Sequence, residues 1–221
     1  MGAAVPKVLL PVQTDVAGGK GEICVLRKTV SVFSQDSRCR TIVVCVPVDW
    51  QARFEEETQG LTGVHIVHGG QTRQESVRNG VEYLAKTLEF PEHDPVLVHD
   101  AARCCVSSQL IERILSGVKD HGAVTAAVRI VDSLCRGEAG AIERYVDRES
   151  LWAIQTPQAF TLQDLLSAHR KAAEQGIVAL DDAALVARHR PIHFVDGERF
   201  NIKVTEPADL VMASNILACG G

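Results

Sequence analysis

The stretch Asp94-Pro95-Val96-Leu97-Val98-His99-Asp100-Ala101-Ala102-Arg103 decides the fold. Its apolar run, Val96-Leu97-Val98, is typical of a buried parallel strand. In open α/β sheets, ligands bind beyond the carboxyl ends of the strands. An aspartate at that point can bind a hard cation, and an arginine can bind a phosphate. Asp100 and Arg103 are therefore candidate site residues, although a strand end closed by a local Asp–Arg pair explains the same residues equally well.

Apolar runs alternate with helix-like segments on both sides of this stretch. Ile42-Val43-Val44-Cys45-Val46 and residues 123–128 are further candidate buried strands. The alternation predicts an α/β fold with a mostly parallel sheet and helices on both faces, in a single domain over residues 1–221. The polar segment 131–148 breaks the alternation, and its glycines and extended second half predict a protruding β-arm.

The composition limits the classes of function. A chain of 221 residues with 46% hydrophobic residues is typical of one large globular domain. The net charge of −5 argues against bulk binding to nucleic acid or to an anionic membrane. Seven cysteines without a C-x-x-C pair, no secretory signal and no apolar run of membrane-spanning length predict reduced thiols in the cytoplasm.

The amino-terminal part contains a glycine-rich segment. Val8-Leu9-Leu10-Pro11-Val12 is the candidate first strand, and a loop over residues 13–21 follows it. Gly18, Gly19 and Lys20 could present backbone N–H groups and one charge to phosphates. The loop matches neither G-x-G-x-x-G nor the Walker pattern, so a flexible loop without a ligand is the alternative.

A second turn with a site-like pattern precedes the stretch. Gly69-Gly70 leads into Thr72-x-x-Glu75, which predicts a capping box at the start of a helix, with Ser76 in its first turn. A strand, a Gly-Gly turn and a capped helix can present polar groups to a ligand. A structural turn with ordinary capping is the alternative.

Four motifs in one order carry a resemblance to a known family. They are Val98-His99-Asp100-Ala101-Ala102-Arg103, Val146-Asp147-Arg148, Gln155-Thr156-Pro157-Gln158-Ala159-Phe160 and Asn201-Ile202-Lys203-Val204-Thr205. Over about residues 42–217 the chain resembles the 2-C-methyl-D-erythritol 4-phosphate cytidylyltransferases of the non-mevalonate isoprenoid pathway. The resemblance implies a Rossmann-like nucleotidyltransferase fold, CTP as substrate and a divalent cation, usually Mg²⁺. It also implies that the acceptor phosphate attacks the α-phosphorus of CTP and that pyrophosphate leaves.

The resemblance also implies roles for individual residues. Asp100 would bind the metal and lie near the ribose, Lys203 would contact the α-phosphate, and Gly70 and Ser76 would recognise cytosine. Lys203, Asp100 and Lys20 are the candidate catalytic residues. The nucleotide-binding set is Gly18, Gly19, Gly70, Ser76, Asp100, Ala101 and Lys203, and the acceptor-binding set is Arg103, Ser133, Arg148, Thr156 and Thr205. The arm at residues 131–150 would interlock two subunits in a homodimer and reach the partner's site.

The chain departs from the family near its amino terminus. The glycine-rich loop is shortened, and the Arg and Lys that the family uses on the triphosphate have no clear counterparts, although Lys20 could replace one of them. This change predicts weakened catalysis with CTP binding retained. The alternatives are a nucleotide-binding homologue with little or no turnover and a cytidylyltransferase for another polyol phosphate, such as ribitol 5-phosphate.

Overall fold

The structure is a computed structural model that describes residues 5–16 and 19–219, with side chains for 5–14 and 21–219. The strands are β1 (Pro11–Val16), β2 (Gly19–Cys24), β3 (Ile42–Val46), β4 (Val64–His68), β5 (Pro95–Val98), β6 (Ala123–Arg129), β7 (Leu134–Glu138), β8 (Ala141–Val146), β9 (Trp152–Thr161) and β10 (His193–Asp196). The α-helices are α1 (Val25–Ser34), α2 (Gln51–Thr58), α3 (Arg73–Lys86), α4 (Ser108–His121), α5 (Leu162–Gln175), α6 (Asp182–Val186) and α7 (Pro207–Ala218).

A four-stranded sheet in the order β10-β6-β9-β5 forms the centre of the fold. Its side chains alternate between two apolar clusters. Ala123 and Phe160 pack with residues of α3 and α5 on one face, and Val124 and Ala159 pack with residues of α4 on the other. The predicted α/β fold with helices on both faces is therefore confirmed.

The direction of β9 contradicts the prediction of a mostly parallel sheet. β6 and β10 are parallel, whereas β9 is antiparallel to both β6 and β5. The arm explains the reversal, because the chain leaves the sheet at the end of β6, turns back through β7 and β8, and returns as β9 beside β6. Neighbouring strands joined by a hairpin-like connection are antiparallel.

β3 and β4 form a separate parallel pair beside this sheet. In the described ranges β3 pairs only with β4, and β5 pairs only with β9. A cavity of about 420 Å³ lies between β3 and β5 and is walled by α1, α3 and α4. Consequently the residues of β5 are half-buried or exposed, whereas the first five residues of β6 are fully buried. We call this cavity, bounded by Val43 and Val96 on its two strands, the slot.

The prediction for the amino-terminal segment was wrong. Residues Lys7–Leu9 form a 3-10 turn, and β1 pairs with β2 in an antiparallel hairpin that packs on α7 through Val12. Pro6 and Pro11 flank the apolar run, and proline lacks the N–H group that a central strand must donate. Most of the predicted loop is therefore strand, while Gly18 lies outside the described residues.

The predicted arm is confirmed as a hairpin of β7 and β8. Its turn contains Ala139 and Gly140 with positive φ angles of 51° and 82°. The arm is highly exposed, and Tyr145 on β8 has a relative exposure of 74%. The helices within the described ranges are all too short or too polar to cross a membrane.

Candidate active site

Asp100 is the centre of a charged cluster just beyond the carboxyl end of β5. One Asp100 oxygen, Oδ2, lies 2.8 Å from Lys203 Nζ and 3.9 Å from Arg103 Nε. The other oxygen, Oδ1, accepts a hydrogen bond of 3.0 Å from Arg73 Nε. Three cations thus surround one carboxylate whose side chain is only 13% exposed.

Hydrogen bonds to β9 fix the backbone at Asp100. Its N–H donates to the Thr156 hydroxyl at 3.0 Å. The Thr156 hydroxyl also lies 3.1 Å from His99 Nδ1, while His99 Nε2 lies 3.1 Å from the Arg103 carbonyl. A carbonyl can only accept, so His99 carries its proton on Nε2, and the Thr156 hydroxyl donates to Nδ1. The predicted acceptor-binding role of Thr156 remains a prediction, and the buried hydroxyl holds the Asp100 loop in place.

The segment around Lys203 is held against the same loop. Asn201 is fully buried, and its side-chain amide donates to the Thr156 carbonyl at 2.8 Å. Arg103 donates to the Asn201 carbonyl at 2.7 Å, and Val204 N–H donates to the Ala102 carbonyl at 2.8 Å. These bonds bring into one site residues that are far apart in sequence, such as Arg103 and Asn201, which are 98 positions apart.

The charges determine the protonation of the site. Burial alone would raise the pKa of Asp100, but Lys203 and Arg73 lower it to about 2. Burial also lowers the pKa of His99 to about 4, which keeps this imidazole neutral at pH 7. Asp100 is therefore an anion at physiological pH and is suited to bind a cation.

The Gly69-Gly70 turn forms the other wall of the site. Thr72 and Glu75 form the predicted capping box of α3. The Ser76 hydroxyl accepts from Gly70 N–H at 3.0 Å and donates to the Thr72 carbonyl at 2.9 Å. A Cβ atom at Gly70 would lie 2.2 Å from Glu75 Cβ, so the turn requires glycine. Ser76 and Asp100 line the same slot, which brings the predicted base site next to the charged cluster.

Several predicted site residues lie elsewhere. Ser133 and Arg148 are exposed on the arm, and no bond joins them to Asp100 in the described parts of the chain. The Thr205 hydroxyl and N–H donate to Asp209 at 2.7 Å. Gly19 and Lys20 belong to β2, and their side-chain environment lies outside the described residues, as does Gly18. Ala101 remains next to Asp100, and its carbonyl accepts from Thr29.

Sequence reasoning missed Arg73, Asp182 and His169. Arg73 donates to Asp182 at 2.7 Å as well as to Asp100, and His169 donates to Asp182 at 2.9 Å. Arg73 follows the Gly-Gly turn and is the first residue of α3. This position could have marked it as a candidate site residue. The pairing with Asp182 spans 109 positions and left no local pattern.

The fold and the cluster together define a class of protein. A carboxylate and several cations beyond a strand end of an α/β sheet are suited to binding a nucleotide with its counter-cation. The chain therefore has the fold and the site of an α/β nucleotide-binding protein.

Comparison with known proteins identifies the family. The family model for 2-C-methyl-D-erythritol 4-phosphate cytidylyltransferase matches residues 1–219. The enzyme of that name from Geobacillus kaustophilus is 37% identical over 204 residues, which cover 90% of this chain and 86% of the relative. A crystal structure of 4-diphosphocytidyl-2C-methyl-D-erythritol synthase has 32% identity and a TM-score of 0.82, covering 96% of this chain and 95% of that one. A Thermus thermophilus 2-C-methyl-D-erythritol 4-phosphate cytidylyltransferase has 34% identity and a TM-score of 0.77, with 97% and 95% coverage. The chain belongs to the 2-C-methyl-D-erythritol 4-phosphate cytidylyltransferase family.

Proposed function

We propose that the chain transfers the cytidylyl group of CTP to 2-C-methyl-D-erythritol 4-phosphate and releases pyrophosphate. The family assignment makes it a CTP-dependent cytidylyltransferase of isoprenoid precursor biosynthesis. The observation that supports this most strongly is the match over residues 1–219 together with the Asp100–Lys203 pair at 2.8 Å. In the reaction, an acceptor phosphate oxygen bonds to the α-phosphorus while the bond to pyrophosphate breaks.

The residue roles follow from charge and position. We assign Lys203 to the α-phosphate, where its charge would offset the negative charge that develops in the transition state. Gly70 and Ser76 are assigned to the cytosine edge, and Arg103 to the acceptor phosphate. The acceptor phosphate is already an anion, so positioning and charge neutralisation suffice without a strong general base.

The donor chemistry at Asp100 fits a divalent cation. In the part of the chain that the structure describes, no group of three or more His, Cys, Asp or Glu side chains could hold a metal ion. Mg²⁺ commonly binds through one or two carboxylates and takes its other ligands from water and substrate phosphates. Asp100 would hold such an ion, which would neutralise charge on the CTP phosphates when bound.

We further propose a homodimer that forms through the arm at residues 131–150. Ser133 and Arg148 are exposed, and Ile142 and Tyr145 present apolar surface on the same hairpin. An exchange of arms around a two-fold axis would bury this surface and bring Arg148 to the partner's acceptor site. Cytoplasmic localisation remains a prediction, which the seven unpaired cysteines support.

The amino-terminal hairpin supports a second candidate function, a nucleotide-binding homologue with slow turnover. Gly19 and Lys20 pair with Val16 and Asp15 in the β1–β2 ladder, so this segment is part of a hairpin and not of a free loop. The site therefore has cations for the α-phosphate, whereas the cation proposed for the β- and γ-phosphates is Lys20, with Arg27 or Lys28 of α1 as the alternative. We propose that Lys20→Ala slows turnover further.

Pyrophosphate release tests the proposed function. The wild type should release pyrophosphate from CTP with 2-C-methyl-D-erythritol 4-phosphate much faster than with ribitol 5-phosphate. Equal rates with the two acceptors would favour a broader polyol phosphate cytidylyltransferase. CTP binding by calorimetry without any release would favour the homologue with little turnover.

A further inference from the structure

Arg73 joins two carboxylates on different elements. It is the first residue of α3, and its guanidinium donates to Asp100 at 3.0 Å and to Asp182 at 2.7 Å. Asp182 is the first residue of α6, and its side chain is only 1% exposed. A guanidinium can bind two carboxylates at once because its N–H donors form a rigid fork.

Asp182 is itself rigidly held. Its Oδ1 accepts a hydrogen bond of 2.9 Å from His169 Nε2, and its Oδ2 accepts from Arg73. Burial alone would raise the pKa of Asp182, but His169 and Arg73 keep it below its ordinary value. The neighbouring Asp181 caps α6 and accepts from Gln158 at 2.9 Å. Asp182 is thus a buried anion with a fixed position.

The two cations closest to Asp100 differ in how they are held. Among the residues that the structure describes, Lys203 Nζ forms an ion pair with Asp100 alone, and the Lys203 side chain is 40% exposed. Arg73 has two partners, one of which is buried. If Lys203 moves to the α-phosphate, as the proposed function requires, Asp100 loses its closest cation. Arg73 cannot follow Lys203 without breaking its bond to Asp182.

We propose that Arg73 is a positioning residue that anchors Asp100 to the buried Asp182 while Lys203 leaves to bind the nucleotide phosphate. Arg73 then sets the orientation of the carboxylate that receives the cation, and Asp182 and His169 act through Arg73. This inference rests on the proposed function for the movement of Lys203. The anchoring itself depends only on the three side chains Asp100, Arg73 and Asp182.

Kinetics of Arg73 and Asp182 variants separate positioning from a structural role. Arg73→Gln should lower kcat about a hundredfold with the KM for CTP changed less than about threefold, since small misplacements of reacting groups have effects of this size. Arg73→Lys should recover only part of kcat, because one ammonium cannot bridge both carboxylates as a fork does. Arg170→Gln removes a comparable charge from the surface of α5 and should leave kcat unchanged.

The double variant Arg73→Gln/Asp182→Asn addresses folding. It removes the buried charge that Arg73→Gln leaves without its guanidinium partner, so the thermal unfolding temperature of the double variant should return toward that of the wild type. Its kcat should stay as low as that of Arg73→Gln. Recovery of kcat together with stability, or a kcat of Arg73→Gln within twofold of the wild type, would overturn the proposal.

Crystal structures of Lys203→Ala and of Lys203→Ala/Arg73→Gln without nucleotide give a readout that needs no turnover, because Lys203→Ala removes the cation that otherwise holds Asp100. The Asp100 carboxylate should keep its position at the end of β5 in Lys203→Ala and leave it in the double variant. An unmoved Asp100 in the double variant would refute the anchoring whatever activity the wild type has. Absence of pyrophosphate release by the wild type would instead refute the proposed function, so the two failures are distinct.

Discussion

The two sides of the central layer differ in how they are enclosed. On one side, β6 and β9 have neighbours on both edges and helices on both faces, and Ala123, Val124 and Phe160 are fully buried. On the other side, β3 and β5 border the slot of about 420 Å³. The charged cluster depends on the enclosed side, because β9 provides Thr156, which holds Asp100. The enclosed side therefore fixes the position of Asp100, and the slot side provides open space next to the charged cluster.

Loss of Lys203 should have the largest effect on activity. Lys203→Ala removes the cation that we assign to the α-phosphate, and the loss of such a contact should cost about 2.7–4 kcal/mol of transition-state stabilisation. Turnover should fall about a hundred- to a thousandfold, with little change in the free energy of unfolding. Lys171→Ala, an exposed lysine on α5, is the control. Near wild-type kcat in Lys203→Ala would remove this lysine from the mechanism.

One added methylene group should distinguish the two sides of the layer. Val124→Ile should destabilise the fold by about 1–3 kcal/mol, because Val124 is fully buried and lies close to Gly117. Val96→Ile should change stability by less than about 0.5 kcal/mol, because the slot can accept the added group. Urea unfolding of both variants measures the contrast. Equal destabilisation would mean that the slot is closed in solution.

The sequence predicts the features that depend on local patterns and misses those that depend on contacts between distant residues. The α/β class and Asp100 were predictable, since a short apolar strand followed by polar residues is a local pattern. The Arg73–Asp182 contact was not, because its partners lie 109 positions apart. The reversal of β9 depends on the arm, and the β1–β2 hairpin depends on packing against α7. Neither leaves a periodic signal in the sequence.

Ser76 tests the slot side through nucleotide selection. Ser76→Ala should reduce the preference for CTP over UTP by up to about tenfold, as expected for the loss of about one hydrogen bond. Ser108→Ala, an exposed serine at the start of α4, is the matched control. Competition between CTP and UTP in the pyrophosphate assay gives the ratio. An unchanged ratio would exclude the Ser76 hydroxyl from base recognition.

The smallest expected effect concerns an ion pair that links the two sides. Glu82 on α3 pairs with Arg170 on α5, and the hydrogen bond from Arg170 lowers the pKa of Glu82 from its ordinary value of 4.5 to about 2. The pair therefore stabilises the fold above pH 4.5, and its contribution is lost as the pH falls toward 2. At pH 7 Glu82→Gln should cost less than about 1 kcal/mol.

The pH dependence gives the check on this pair. The difference in unfolding free energy between wild type and Glu82→Gln should shrink steadily between pH 4.5 and 2. Glu174→Gln on α5 is the control, since Glu174 forms no ion pair among the residues that the structure describes. A difference that grows with acidification would contradict the assigned sign.

The most direct test of the central claim is the identity of the product. Wild-type protein is incubated with CTP, Mg²⁺ and 2-C-methyl-D-erythritol 4-phosphate. The products are then separated, and mass spectrometry identifies and quantifies them. We expect CDP-methylerythritol and pyrophosphate in equal amounts, and about a hundred- to a thousandfold less of both from Lys203→Ala over the same time. Hydrolysis of CTP without the joined product, or equal product from Lys203→Ala, would contradict it.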